Sequence, residues 1–119
     1  LYEDELVRVI LDINPASAGH ALILPKKHAA SLLECDPESR SRVFEVAAAL
    51  GKAMEERLNC DGINVLANIR EGAGQTVEHF HVHLIPRYTN APEKDGFSMS
   101  QKEIEKQDLD AICELLKLS

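Results

Sequence analysis

Apolar positions along this chain follow three rhythms. Two short apolar runs, LVRVILD (Leu6 to Asp12) and HALILP (His20 to Pro25), flank INPASAG, whose Asn14, Pro15 and Gly19 supply turn chemistry. They predict a β-hairpin. After Asp36-Pro37, an N-cap residue with proline in the first helical turn, apolar residues fall at 43, 46, 47, 50, 54 and 58. That spacing predicts one long helix, from there to Leu58, with a single face on a sheet. Asn59 to Gly62 break it, INVLAN (Ile63 to Asn68) reads as a third strand, and IREGAGQT as a short glycine-rich loop. Next comes HFHVHLI, residues 79 to 85, in strict alternation. A period of two predicts a strand with His79, His81 and His83 on one face and Phe80, Val82 and Leu84 turned into a core. Pro86, which cannot donate to a ladder, is expected to stop it. TNAPEKDGFSMSQKE has little period and is expected to be irregular, before LDAICELLKL closes the chain as a short helix. Hairpin strands with helices to one side make an α+β domain, here a single domain over residues 1–119.

Composition narrows the function classes. A net charge of -7 argues against a nucleic-acid polymer as partner, since such proteins present a basic face. A small anion held locally is not excluded by it. No apolar run is long enough to span a bilayer, so no membrane partner is expected, and no signal peptide is visible. Cys35, Cys60 and Cys113 are odd in number and form no C-x-x-C pair, which fits reduced thiols in the cytoplasm. The first residue is Leu1, not Met, so the native chain is expected to begin further upstream.

The histidines carry the chemistry. Imidazole is a modest strand former, and three together repel when protonated, so stability alone gives no reason to collect them. One metal ion cannot take all three from a straight strand. At ~3.3 Å per residue the outer backbones stand roughly 13 Å apart, whereas zinc holds each nitrogen at about 2.0–2.1 Å. Two of them with His20, His28 or an acid could hold one ion, so a zinc-dependent hydrolase stays open at this point. Upstream, Gly72 and Gly74 let backbone N–H groups converge into an anion-binding nest. An anion held there would lie beside His81. Neutral imidazole is a good nucleophile near pH 7, and a neighbouring imidazolium can neutralise phosphate oxygens or protonate a leaving group.

His79-Phe80-His81-Val82-His83-Leu84-Ile85 is similar to the histidine-triad pattern, His-φ-His-φ-His-φ-φ with φ apolar, of the HIT nucleotide hydrolases and transferases. GHALILPKKH (19–28), LDINP (11–15) and GQTVEHFHVHLIPR (74–87) resemble further blocks of that family in the same order, over Leu1 to about Tyr88. The resemblance implies a HIT-like antiparallel sheet of about five strands with one long helix and a short C-terminal helix. It implies that His81 attacks the α-phosphorus to form a nucleotidyl-histidine that water hydrolyses, and that His79 offers its backbone carbonyl to the His81 ring. His83 resembles the contact to phosphate or leaving group, and His20 a supporting histidine. Gln75 and Thr76, following Gly74, resemble the residues that hold phosphate and leaving group, and Asn68 a polar contact there. Asp12 resembles the carboxylate on the ribose hydroxyls, which makes Ile10 a candidate wall of the base pocket. No catalytic cofactor is implied. A structural zinc is implied at His28 and His79 where an upstream Cys pair completes it. The resemblance also implies a homodimer paired through the long helix and neighbouring strand. A nucleoside phosphoramidate and a dinucleoside polyphosphate both fit the motifs. A nucleotide-sensing protein with incidental turnover is the alternative from a different class.

Overall fold

A computed structural model describes residues 2–89. Five antiparallel strands, β1 (Tyr2–Glu3), β2 (Val7–Leu11), β3 (Ala21–Pro25), β4 (Gly62–Leu66) and β5 (Val82–Arg87), form one sheet in the order β1-β2-β3-β5-β4. The predicted hairpin is β2–β3, with Val9 opposite Ile23 and Ile10 opposite Leu22. Alternation does its work there: Val7, Val9, Ala21 and Ile23 are buried on one face, while Arg8 and Ile10 on the other are exposed. Helix α1 (Pro37–Arg57) covers the buried face and packs on β2, β3 and β5. Its start follows from Asp36, whose side chain accepts from the Ser39 N–H at 3.0 Å, and from Pro37 at the first turn. Val43, Val46, Ala47, Leu50 and Met54, the predicted stripe, are buried against Phe80, Val82 and Leu84 within one core cluster. Burying each of the larger side chains contributes about 1.5–3 kcal/mol. Past Leu58 the chain turns through Asn59 at φ +57, a left-handed position that asparagine tolerates.

The histidine strand departs from its sequence-based bounds at both ends. It begins at Val82, so His79 and His81 lie in the approach to β5, where the Phe80 N–H donates to the Ala29 carbonyl at 2.7 Å. It also runs through Pro86 to Arg87 instead of ending at the proline. Backbone polar groups alternate in direction along a strand. The Arg87 carbonyl accepts from the Asp61 N–H beside β4, and the Pro86 carbonyl accepts from Ser17 Oγ on the opposite side. Pairing of β5 with β3 has already ended at Leu84–Ala21, so the N–H that Pro86 lacks costs no ladder bond. The β4–β5 connection runs over residues 67–81, longer than the loop expected, and contains a short 3-10 turn at Glu71–Ala73. A second such turn, Leu32–Glu34, is capped by Ser31 between β3 and α1. The expected C-terminal helix lies outside the described residues.

Candidate active site

Four strands meet in one cross-strand row: Ile10 on β2 faces Leu22 on β3, Leu22 faces His83 on β5, and His83 faces Leu66 on β4. Directly opposed residues share a sheet face. The row is therefore an apolar strip with an imidazole set into it, and Ile10 and Leu66 are each 39% exposed.

Around His83 the other side chains close in. Asp12 follows β2 and His20 precedes β3. The Asp12 N–H donates to the His20 carbonyl at 2.9 Å, which brings both side chains to the turn end of the hairpin. His20 Nε2 lies 3.0 Å from His83 Nδ1 and 3.6 Å from Asp12 Oδ2. The His81 and His83 rings stand edge to face, with centroids 4.8 Å apart. His81 Nδ1 is 2.8 Å from the His79 carbonyl oxygen, the contact that the family resemblance implies. That carbonyl can only accept, so the proton of a neutral His81 sits on Nδ1 and Nε2 carries the lone pair. Burial holds the pKa of His20 below its ordinary value, with Asp12 acting in the opposite direction. His83 is lowered as well, by burial first and by neighbouring His81 second.

The His79 ring does not join this group. Its Nε2 is 3.2 Å from the Pro25 carbonyl, and its Nδ1 is 3.2 Å from Nδ1 of His28. Two nitrogens bound to one tetrahedral zinc at ~2.0–2.1 Å stand roughly 3.3–3.4 Å apart. A histidine that ligates through one nitrogen also donates its other N–H to a carbonyl or carboxylate. His28 and His79 thus fit as two of the four ligands of a structural zinc. Asp12, His20 and His83 also have donor atoms within 4.8 Å of one another.

Of the loop residues, Gln75 departs most from its expected use. Its Oε1 accepts from the Arg70 N–H at 2.7 Å, and its Nε2 donates to the carbonyls of Ala30 at 2.6 Å and Val77 at 2.9 Å. The whole amide is engaged in holding the loop. Arg70, at φ +75 and ψ 158, sits in a region that L side chains rarely adopt, and its guanidinium reaches Glu34 and Ser31 on the β3–α1 connection. The Arg70 bond holds the Glu34 carboxyl down at about 2. Gly74 packs next to Asn68, whose Nδ2 would lie 3.7 Å from a Cβ at that glycine, while Thr76 is exposed. Arg70, Leu22, Leu66 and the polar turn residues around Ser17 escaped the sequence reading. Only alternation within HALILP pointed at Leu22.

Residues 1–90 match the model of the HIT domain family. A HIT-like protein of Borreliella burgdorferi is 42% identical over 104 residues, covering 85% of this chain and 71% of its own length. An adenylylsulfatase of Arabidopsis thaliana is 39% identical over 87 residues, 73% of this chain and 44% of that protein. Among solved structures, a zinc-bound histidine triad family protein from Mycobacterium smegmatis superposes with a TM-score of 0.74 at 33% identity, covering 96% of this chain and 83% of its own. With a domain match over three quarters of the sequence and a triad that runs from the approach to β5 into that strand, the chain belongs to the HIT domain family.

Proposed function

We propose that this protein hydrolyses a nucleoside 5′-phosphate derivative by way of a covalent nucleotidyl-His81. The observation that carries this reading is the 2.8 Å contact between His81 Nδ1 and the His79 carbonyl, which leaves Nε2 as a neutral nucleophile. In the first step the Nε2–phosphorus bond forms, the bond from the α-phosphorus to the leaving oxygen or nitrogen breaks, and the leaving atom, held by a hydrogen bond from the Nε2–H of His83, takes its proton from solvent. Water then attacks phosphorus, the phosphorus–nitrogen bond breaks, the proton released from the water returns to solvent, and a nucleoside monophosphate departs. Asp12 takes the ribose hydroxyls, and Ile10 with Leu22 forms a wall against the base. Gly74, Thr76 and Asn68 face the phosphate end, and Gln75 holds the loop that carries them. An adenylylsulfatase among the relatives supports a substrate with an activated adenylyl group. Nucleoside phosphoramidates and dinucleoside polyphosphates share that group with a different leaving partner.

Catalysis in this scheme needs no metal, because an imidazole nucleophile replaces the hydroxide a metal would generate. A zinc at His28 and His79, when bound, supplies a cross-link between the β3 end and the approach to β5. We further propose a homodimer formed at β4, which pairs only with β5 among the described strands and exposes Val65 and Leu66. The free thiols of Cys35 and Cys60 suit the cytoplasm. No helix among the described residues is long and apolar enough to cross a membrane.

The test is a side-by-side panel of a purine nucleoside phosphoramidate, adenylyl sulfate and several dinucleoside polyphosphates, with an alkaline quench to preserve phosphoramidate bonds. One nucleotidyl group per chain on the peptide containing His81 is expected. A label on His83, or none during active turnover, rejects the mechanism.

A further inference from the structure

The β2–β3 turn, residues 12–20, is fastened to the far end of β5. Ser17 is buried and donates its hydroxyl to the Pro86 carbonyl. The Tyr88 hydroxyl donates to the Ala18 carbonyl at 2.7 Å. Gly19 is packed so closely that a Cβ there would meet Leu58 Cδ1 at 2.5 Å and Pro86 Cγ at 3.2 Å. Inside the turn, the His20 N–H donates to the Ser17 carbonyl at 3.1 Å, and the Ala16 N–H donates to His20 Nδ1 at 3.0 Å.

The last of these bonds has a chemical consequence. A backbone N–H can only donate, so His20 Nδ1 presents a lone pair, and the neutral ring carries its proton on Nε2. Asp12 Oδ2, at 3.6 Å from Nε2, is beyond hydrogen-bond reach, whereas His83 Nδ1 at 3.0 Å is within it. His83 therefore accepts at Nδ1 and carries its own proton on Nε2. At the other end of the row the His79 carbonyl fixes the opposite tautomer on His81. Two backbone groups, one at each end, give neighbouring imidazoles opposite polarity: a bare Nε2 on His81 and an Nε2–H on His83. Burial favours the neutral forms of His20 and His83 on which this depends. The same proton on His20 Nε2 occupies the atom that an ion held by Asp12, His20 and His83 would require.

We propose that Ala16, Ser17 and Tyr88 are positioning residues: Ser17 and Tyr88 anchor the turn so that the Ala16 N–H sets the tautomer of His20 and, through it, that of His83. The kinetic consequence rests on the reading of His81 as nucleophile and of His83 as hydrogen-bond donor to the leaving group; the tautomers do not. Long-range ¹H–¹⁵N correlation spectra of the wild-type protein at neutral pH should show His20 and His83 protonated at Nε2 and His81 at Nδ1. In Ser17→Ala, Tyr88→Phe and the double variant, His83 should become a mixture of tautomers. The value of kcat should fall roughly 10-fold, part of the about 10²–10³ that one donor aimed at developing charge supplies, with KM changed less than about two-fold. Ser17→Thr, which restores a hydroxyl, should recover both readouts. A wild-type His83 protonated at Nδ1 overturns the proposal, as does a folded double variant with wild-type tautomers. Absence of turnover on every nucleotide, with the tautomers as stated and shifting in the variants, rejects the hydrolase reading and upholds the positioning one. Should a single variant fail to fold, the wild-type spectrum and the remaining variant still decide the question.

Discussion

Replacing Gly19 with alanine tests whether the geometry of the β2–β3 turn is as tight as it looks. Gly19 has φ +95, and the new Cβ would sit 2.5 Å from Leu58 Cδ1 and 3.2 Å from Pro86 Cγ. The backbone term alone costs about 1–2 kcal/mol for an L residue in left-handed territory. Leu58 is half-buried and can swing its methyl aside, but the Pro86 ring is fully buried and held by its strand. Overpacking of this kind adds roughly 1–3 kcal/mol. The expected loss is therefore about 2–5 kcal/mol, or a Tm lower by at least about 8 °C at roughly 4–8 °C per kcal/mol. Urea unfolding at constant m, with thermal unfolding alongside, measures it. Gly72→Ala is the internal control, since nothing lies within 4 Å of its added Cβ and its φ is not in the left-handed region. That change should be neutral or stabilising by about 0.4–1 kcal/mol. A Gly19→Ala loss under about 1 kcal/mol, or an equal loss at Gly72, would refute the argument. In whatever fraction of Gly19→Ala stays folded, the displaced turn should also lower kcat, because His20 is the next residue.

His81→Asn should bind a nucleoside monophosphate with nearly wild-type affinity while turnover drops at least ~10³-fold, and calorimetry with single-turnover kinetics separates the two; normal turnover would end the covalent scheme. Arg70→Gly should be more stable in urea than Arg70→Ala by about 1–2 kcal/mol, because both lose the Glu34 contact and only glycine relieves φ +75; the reverse order would show that Arg70 is not strained. With both His20 and His83 depressed, the unfolded chain takes up protons first as pH falls through ~6.5, so stability is full above that pH and declines below it; a urea midpoint unchanged between pH 7.5 and 5.5 would contradict this, and Glu34, at about 2, titrates outside the window. Dialysis against a chelator should leave kcat unchanged, even where it lowers Tm; activity lost and then restored by stoichiometric zinc, with the fold intact, would put the metal in the chemistry.

Where the sequence was legible, the physics was local. The hairpin announces itself through alternation around a turn-forming segment, and α1 through Asp36-Pro37 and a stripe from Val43 to Met54. Both depend on neighbours within a few residues. The bounds of β5 do not. Alternation in HFHVHLI correctly separates Phe80, Val82 and Leu84 from the imidazoles, but a strand also needs a partner, and β3 reaches up only as far as the Ile23–Val82 pair. Pro86 was misjudged for the converse reason, because whether a missing N–H matters depends on what stands opposite. Two-residue β1 has too little chain to show a period. In the site, the row Ile10, Leu22, His83 and Leu66 follows from strand order, which no local pattern encodes. Nor does any residue type reveal that Gln75 would turn inward on its own loop, or that a main-chain N–H at Ala16 would matter.

Strand order has a further consequence, for the way the molecule must assemble. The last described strand to be synthesised, β5, lies between β3 and β4 and is the only described strand that pairs with β4. Until residues 82–87 have left the ribosome, β3 and β4 each keep an open edge, and α1 has no Val82 or Leu84 to pack on. Hairpin β2–β3 and α1 can form early from short-range contacts, whereas Ser17–Pro86 and Ala18–Tyr88 join positions 69 and 70 residues apart. The step that completes the sheet is thus the same step that brings His83 to His20. Intermediates that have lost their closing strand expose sheet edges and lack the site together, so residual activity in a partly refolded sample counts completed chains.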